Sequence, residues 1–270
     1  MNSVNNKYAV YFKYDINNPP EKLHNSTRFI LISDTHNRTF HIPDGDILIH
    51  AGDLTFLHKV NYDITARWLV EECDIKYKVF IAGNHDKLLL RDGKPYSDGS
   101  WNVDFDTDYD PQAIDSLCGK QGVSNGLFYL QNNTKKCTVG DRTWNIFGSP
   151  LYSSRRPTEH TAKETLRILN NFPPMDVLIT HGPPRDILDK TKTNLNVGCV
   201  ELTEALHRLK PILHVYGHIH ESRGYKVVEY DDNTFTIHVN AANSTISRFY
   251  NEIDDGSDEL DAVIVDISNE

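Results

Sequence analysis

The strongest constraint in this sequence is a set of short apolar runs that do not alternate with polar residues and stop abruptly at polar residues or glycine. They are Phe29–Ile32, Ile47–Ile49, Val79–Ile81, Trp144–Phe147, Val177–Ile179, Leu213–Tyr216, Ile237–Val239 and Ala262–Ile267. A strand with one wet face alternates, whereas a strand covered on both faces does not. Between the runs, Tyr62–Glu72, His160–Asn171 and Cys199–Leu209 carry apolar residues at helical spacing, and Leu202, Leu206 and Leu209 make one stripe. Strands alternating with helices predict an α/β domain with helices packed outside buried sheet.

The rest of the chain has a different texture. Residues 1–26, broken by Asn17-Asn18-Pro19-Pro20, are expected to form a poorly ordered leader before a single domain over 27–270. A loop-rich insertion at about 87–136 is rich in Asp, Gly, Asn and Tyr, with one short helical candidate at Pro111–Cys118. The acidic stretch Asn251–Asp261 is expected to be a solvated loop before the last strand.

The formal net charge of -10 argues against a long nucleic acid as partner, because phosphate-backbone binding needs a basic surface. It does not argue against a small anionic substrate, since bound metal reverses the charge of one pocket. Cys73, Cys118, Cys137 and Cys199 form no CxxC pair and are expected to be reduced thiols. No charged segment followed by an apolar one opens the chain, and no apolar run approaches the ~20 residues that cross a bilayer. The expected compartment is the cytoplasm, with no membrane association; nothing in the sequence bears on oligomeric state.

Chemistry enters at the ends of the runs. Phe29–Ile32 leads into Asp34 and His36, Ile47–Ile49 into Asp53, Val79–Ile81 into Asn84, His85 and Asp86. Val177–Ile179 leads into His181, and Leu213–Tyr216 into His218 and His220. In α/β sheets the carboxyl ends of the strands are where ligands bind. Residues i and i+2 of an extended segment face one way, so Asp34 with His36, and His218 with His220, can each present two ligands. Oxygen and imidazole donors without thiolate suit manganese, iron or zinc. Asp34, His36, Asp53, Asn84, His181, His218 and His220 over-supply one ion and suit two. Two divalent ions against the charges of Asp34 and Asp53 leave the site at about +2, which attracts phosphate.

Taken singly, each motif has a plainer explanation. Gly52-Asp53 can be a turn whose Asp caps a helix, Gly83-Asn84 a hairpin turn, and His181 a loop histidine. Their joint occurrence after five buried runs favours one metal site. His50 reads as a buried hydrogen-bonded histidine, and Asn240 as a residue facing the site from behind. His214 and His238 carry no spacing signal.

Asp34-x-His36, Gly52-Asp53, Gly83-Asn84-His85-Asp86, His181 and Gly217-His218-x-His220 resemble the signature of calcineurin-like metallophosphoesterases. Ile32–Arg38, Ile42–Asp46, Thr180–Pro184 and Val197–Leu202 are similar to the MPPED-type branch, related to class III cyclic nucleotide phosphodiesterases. The similarity spans roughly residues 28–249 and is weakest over 87–136. The resemblance implies a four-layer fold, two mixed β-sheets sandwiched between helices. It also implies a first metal on Asp34, His36 and His220, a second on Asn84, His181 and His218, and Asp53 bridging them.

The expected activity is hydrolysis of a phosphodiester, a cyclic nucleotide among the candidates, by a water activated between two divalent ions, manganese before iron or zinc. His85 would protonate the leaving oxygen or stabilise its charge, and Asp86 would orient His85 through its other ring nitrogen. In a plainer reading Asp86 merely caps the next segment. Asn37 and Arg38 would touch substrate phosphate. A phosphomonoesterase or protein phosphatase on the same scaffold, or an idle metal-binding scaffold, are the alternatives. The walls that choose among substrates are expected in 87–136 and the Tyr152–Pro157 loop.

Overall fold

A computed structural model describes residues 2–55, 61–86, 89, 115, 117–152, 159–244 and 261–270. The buried runs are strands, and period-two alternation divides each between two cores. Strand β3 (Ser26–Ile32) sends Phe29 and Leu31 to one side and Ile30 and Ile32 to the other. Strands β4 (Ile47–His50) and β5 (Tyr77–Phe80) split in the same way.

Two mixed sheets result. The first runs β1 (Ser3–Val4), β2 (Tyr8–Tyr11), β13 (Val263–Ser268), β3, β4, β5 and β6 (Leu127–Tyr129). The second runs β11 (Gly224–Glu229), β12 (Phe235–Asn240), β10 (Leu213–Tyr216), β9 (Val177–Thr180), β8 (Arg142–Ser149) and β7 (Asn133–Val139). Strands β3 to β6 are parallel, as are β8, β9, β10 and β12, while the outer pairs are antiparallel.

The inner faces meet in one core, where Phe29 packs edge-on to Trp144 with ring centroids 5.0 Å apart. Helix α1 (Asn61–Glu71) covers the first sheet's outer face with Ala66, Trp68 and Leu69. Helices α3 (Glu159–Leu169) and α4 (Val200–Leu209) cover the second, through Leu169, Leu202 and Leu206 against Phe147 and Leu178. The layers are therefore helix, sheet, sheet, helix, as the resemblance implied.

The segment expected to be a poorly ordered leader contains two strands, β1 and β2. Ala9 and Val10 are fully buried in β2, which pairs with β13 and covers an otherwise open sheet edge. The Arg28 guanidinium makes a two-pronged ion pair with Asp266 (2.7 and 2.8 Å) and donates to the Pro20 carbonyl; Leu23 N donates to Asp266. This buried pair ties the leader down. The end of the expected loop-rich insertion is regular too, forming α2 (Lys120–Ser124), β6 and the start of β7. Most of 87–114 and all of 251–260 lie outside the described residues, as does most of the Pro111–Cys118 helical candidate.

The carboxyl ends of the parallel strands of both sheets meet at one place. Ser33 and Asn243 join the two sheets there, Asn243 N donating to the Ser33 carbonyl at 2.8 Å. Among the described residues no helix is long and apolar enough to cross a membrane.

Candidate metal centre

The loops after β3, β4, β5, β9 and β10 converge on two buried carboxylates. Asp34 is fully buried and Asp53 is 2% exposed. Asp34 Oδ1 lies 3.1 Å from His220 Nε2, and both Asp34 oxygens accept the His218 backbone N–H. Asp53 Oδ2 lies 3.5 Å from His181 Nε2 and 4.0 Å from His36 Nε2, so it stands between the two sets of imidazoles, as a bridging position requires. Its other oxygen accepts the His85 backbone N–H at 2.8 Å. Asn84 Oδ1 is 2.9 Å from His181 Nε2, and the His218 ring packs 5.0 Å from that of His181.

Among the described residues, two groups of donors gather within 4.8 Å: Asp34, His36 and His220, and Asp34, Asp53 and His181. The first is the trio expected for one metal. In the second, Asp34 joins Asp53 and His181, while His218 lies alongside through its ring contact. The structure thus brings all seven expected ligands to one place.

The backbone is bent to do this. Asp34, His36, Asn37, Asp53 and His218 all have positive φ, between 47° and 68°. Non-glycine residues rarely adopt this region, and it persists where surrounding structure over-determines it. The glycines of the motifs serve close approach. A Cβ on Gly217 would overlap Asp34 Oδ2, and one on Gly83 would overlap Asp53 Oδ1. Only a residue without a side chain leaves the carboxylates their places.

Electrostatics follow from burial and neighbours. Burial alone would raise Asp34 and Asp53, but His220 holds Asp34 far below its ordinary range, and His181 holds Asp53 at about 2. Burial disfavours charge on His181, yet the Asp53 carboxylate outweighs it and pushes the ring up to about 9. The His181 Nδ1–H donates to the Ala51 carbonyl at 2.9 Å, leaving Nε2 to face the carboxylates. Burial takes His36 down to about 4 and His218 to about 3, so both are neutral ligands at ordinary pH. A donor set of two buried carboxylates, an Asn amide oxygen and imidazoles that are neutral or give up one proton on binding fits divalent ions.

His85 sits beside the cluster, its side chain 21% exposed and its Nε2 3.9 Å from Asp53 Oδ2. Burial lowers its pKa. Asp86 is not its orienting partner. The Asp86 carboxylate accepts from Gly83 N, Leu54 N, Thr55 N and Thr55 Oγ1, at 2.9 to 3.0 Å. Those donors use all the acceptor sites of a carboxylate. Asp86 instead pins the His85 loop to the loop of Asp53, close to the plainer capping reading. Burial and then the Asp53 charge raise it to about 7.

Asn37 and Arg38 lie on the turn just after His36, half-buried, with Asn37 N bonded to the Leu54 carbonyl. His50 is the buried, hydrogen-bonded histidine expected, 2.9 Å from Thr35 Oγ1 and lowered by burial to about 3. Asn240 supports the last loop, donating to the Ile219 carbonyl at 2.9 Å. Sequence reasoning missed Ser33, whose link to Asn243 joins the sheets under the site; a lone serine between a strand and an Asp gives no signal.

Residues 27–222 match the family model described as Calcineurin-like phosphoesterase. The chain is 35% identical over 235 residues to human Metallophosphoesterase domain-containing protein 1, covering 82% of this chain and 67% of that protein. It is 32% identical over 235 residues to a UPF0046 protein of Caenorhabditis elegans, covering 81% of this chain and 75% of the relative. The fold is similar to the crystal structure of Phosphopantetheinyl Hydrolase from Mycobacterium tuberculosis, with TM-score 0.52, 16% identity, and coverage of 88% of this chain and 96% of that one. The chain is a metal-binding phosphoesterase hydrolase and belongs to the calcineurin-like phosphoesterase family.

Proposed function

We propose that this chain is a metal-dependent phosphodiesterase acting on a small phosphodiester or nucleotide, with cyclic nucleotides the first class to test. Asp34, His36 and His220 would hold one divalent ion, Asn84, His181 and His218 a second, and Asp53 would contact both, with manganese the preferred metal. The observation that carries this reading is the convergence of a complete donor set on two buried carboxylates with His85 beside them. When bound, the ions supply Lewis-acid charge to the phosphoryl oxygens and lower the pKa of a water.

The chain's own residues do the rest. His85, tied to Asp53 through its backbone, is neutral at ordinary pH and offers an N–H to the departing oxygen. Asp86 keeps His85 in register by joining its loop to the Asp53 loop. Arg38 supplies fixed positive charge to an anionic diester, and Asn37 a hydrogen bond. Tyr152, whose ring lies 5.5 Å from that of His218, forms part of the wall on the second-metal side. The net charge of -10 fits a small substrate over a polymer. The cysteines are all free thiols, which fits a reducing compartment and supports a cytoplasmic location.

The test compares hydrolysis of bis(p-nitrophenyl) phosphate and p-nitrophenyl phosphate, with manganese and with chelator. The proposal expects the diester to be preferred and chelator to abolish turnover. Preference for the monoester would replace the reading with a phosphomonoesterase. No turnover with any of manganese, iron or zinc would leave a metal-binding scaffold.

A further inference from the structure

Thr180, the last residue of β9, precedes the ligand His181, and its hydroxyl has one proton to give. That proton goes to the Gly182 carbonyl at 2.7 Å, so the oxygen must accept from His214 Nε2 at 2.9 Å. His214 therefore carries its hydrogen on Nε2. Burial keeps this ring neutral, so its Nδ1 is an acceptor. The group 3.3 Å from that nitrogen is His238 Nδ1, which must be the donor. Every link runs one way, from His238 to His214 to Thr180 to the Gly182 carbonyl.

The chain ends on both neighbours of His181. The His181 carbonyl in turn accepts from Gly217 N at 3.0 Å, one residue before His218. The line of hydrogen bonds thus passes from the middle of β12 and β10 to the loops that present two expected ligands of the second metal.

We propose that His214 and His238 are positioning residues for His181, holding its loop through this one-way chain; the proposal rests on the reading of His181 as a metal ligand. Only one neutral tautomer of each ring keeps the chain intact. Removing the His238 donor leaves His214 Nδ1 as a buried acceptor without its hydrogen bond, which is costly. The His214 ring is then anchored at Nε2 alone, so its hold on Thr180 and, through it, on the Gly182 carbonyl loosens. Groups that orient metal ligands from behind typically change metal affinity about 10- to 100-fold when removed.

The experiment is titration of Mn2+ into metal-free wild type, His238→Phe, His238→Asn, Thr180→Val and the double variant His238→Phe/Thr180→Val. Phenylalanine keeps the volume and removes the donor, while the Asn amide places an N–H where imidazole Nδ1–H stood. The proposal expects His238→Phe and Thr180→Val each to weaken Mn2+ binding about tenfold. It expects His238→Asn to restore most of that loss, and the double variant to lose no more than either single. Histidine side-chain 15N spectra of the metal-free wild type should show His214 protonated on Nε2 and His238 on Nδ1. Wild-type affinity in His238→Phe, or His214 protonated on Nδ1, would overturn the proposal. A wild type that binds no Mn2+ would instead overturn the reading of His181 as a ligand. If His238→Phe fails to fold, Thr180→Val and the wild-type tautomers decide.

Discussion

Among the described residues, two groups of largely buried histidines differ in what surrounds them. His214 and His238 face each other across the middle of β10 and β12, in extended backbone, with a threonine hydroxyl and each other as hydrogen-bond partners. His36, His181, His218 and His220 stand at strand ends around Asp34 and Asp53, on backbone bent into positive φ at His36 and His218. Burial acts on all of these rings. In the first group nothing opposes it, and the rings stay neutral far into the acid range. In the second the carboxylates oppose it, and His181 and His220 move up, while His36 and His218 still fall to about 4 and about 3. The difference teaches that burial is overcome where a carboxylate oxygen comes within 3.1 to 3.5 Å of the ring nitrogen, as at His220 and His181, and not where none does.

The largest expected break in this comparison comes from the carboxylate that stands between the imidazole sets. Asp53→Ala should lower turnover by on the order of 10³-fold or more and weaken metal binding, because the Lewis-acid contribution amounts to several kcal/mol. Metal analysis alongside the turnover assay checks both halves. Next comes His85→Ala, which should lower kcat about 10²-fold with alcohol leaving groups while metal content stays at the wild-type level. If alcohols depart as fast as in wild type, His85 does not stabilise the departing oxygen.

The pH dependences of the two groups should also part company. His181 is pushed up to about 9, so below that pH a metal must displace its proton. Mn2+ affinity should rise about tenfold per pH unit as pH increases toward 9 and flatten above it. Calorimetric titration at several pH values reads this directly. His238 runs the other way, with a folded pKa near 3 against an ordinary value of 6.5. Its unfolded form gains a proton below 6.5 while the folded form does not, so its stability contribution is complete above 6.5 and declines as pH falls toward 3. At pH 5.5 the loss for His238 is about 1.4 kcal/mol. Urea unfolding of metal-free protein at pH 7.5 and 5.5 should show a smaller drop in His238→Phe than in wild type. An equal drop would mean that this ring does not titrate between the two states.

Much of the site was legible because its residues follow the buried runs directly. Asp34, Asp53, Asn84, His181 and His218 each lie within a few residues of an apolar stretch, and strand ends in parallel sheets converge. The long two-sided strands were legible for the same reason. Edge strands were not. In β7, Asn133-Thr134-Lys135-Lys136-Cys137-Thr138-Val139 is mostly polar because one face meets water, and only Cys137 is fully buried. In β2 only Ala9 and Val10 are buried, too short a signal to read against the surrounding asparagines, and its partner β13 lies at the other end of the chain. Asp86 was misread because adjacency to His85 suggested a pair. Its partners Leu54 and Thr55 come from a different loop, a contact that spacing does not encode. His214 and His238 gave no signal because their pairing depends on the register of β10 against β12.

The central claim is that the group around Asp34 and Asp53, and not the His214–His238 pair, holds two divalent ions. Counting manganese per chain at saturation in wild type, Asp53→Ala and His238→Phe tests it most directly. The account predicts two ions in wild type, fewer in Asp53→Ala, and two in His238→Phe at the higher metal concentration needed to fill them. A wild type that binds none, or an Asp53→Ala chain that still binds two with wild-type affinity, would contradict it.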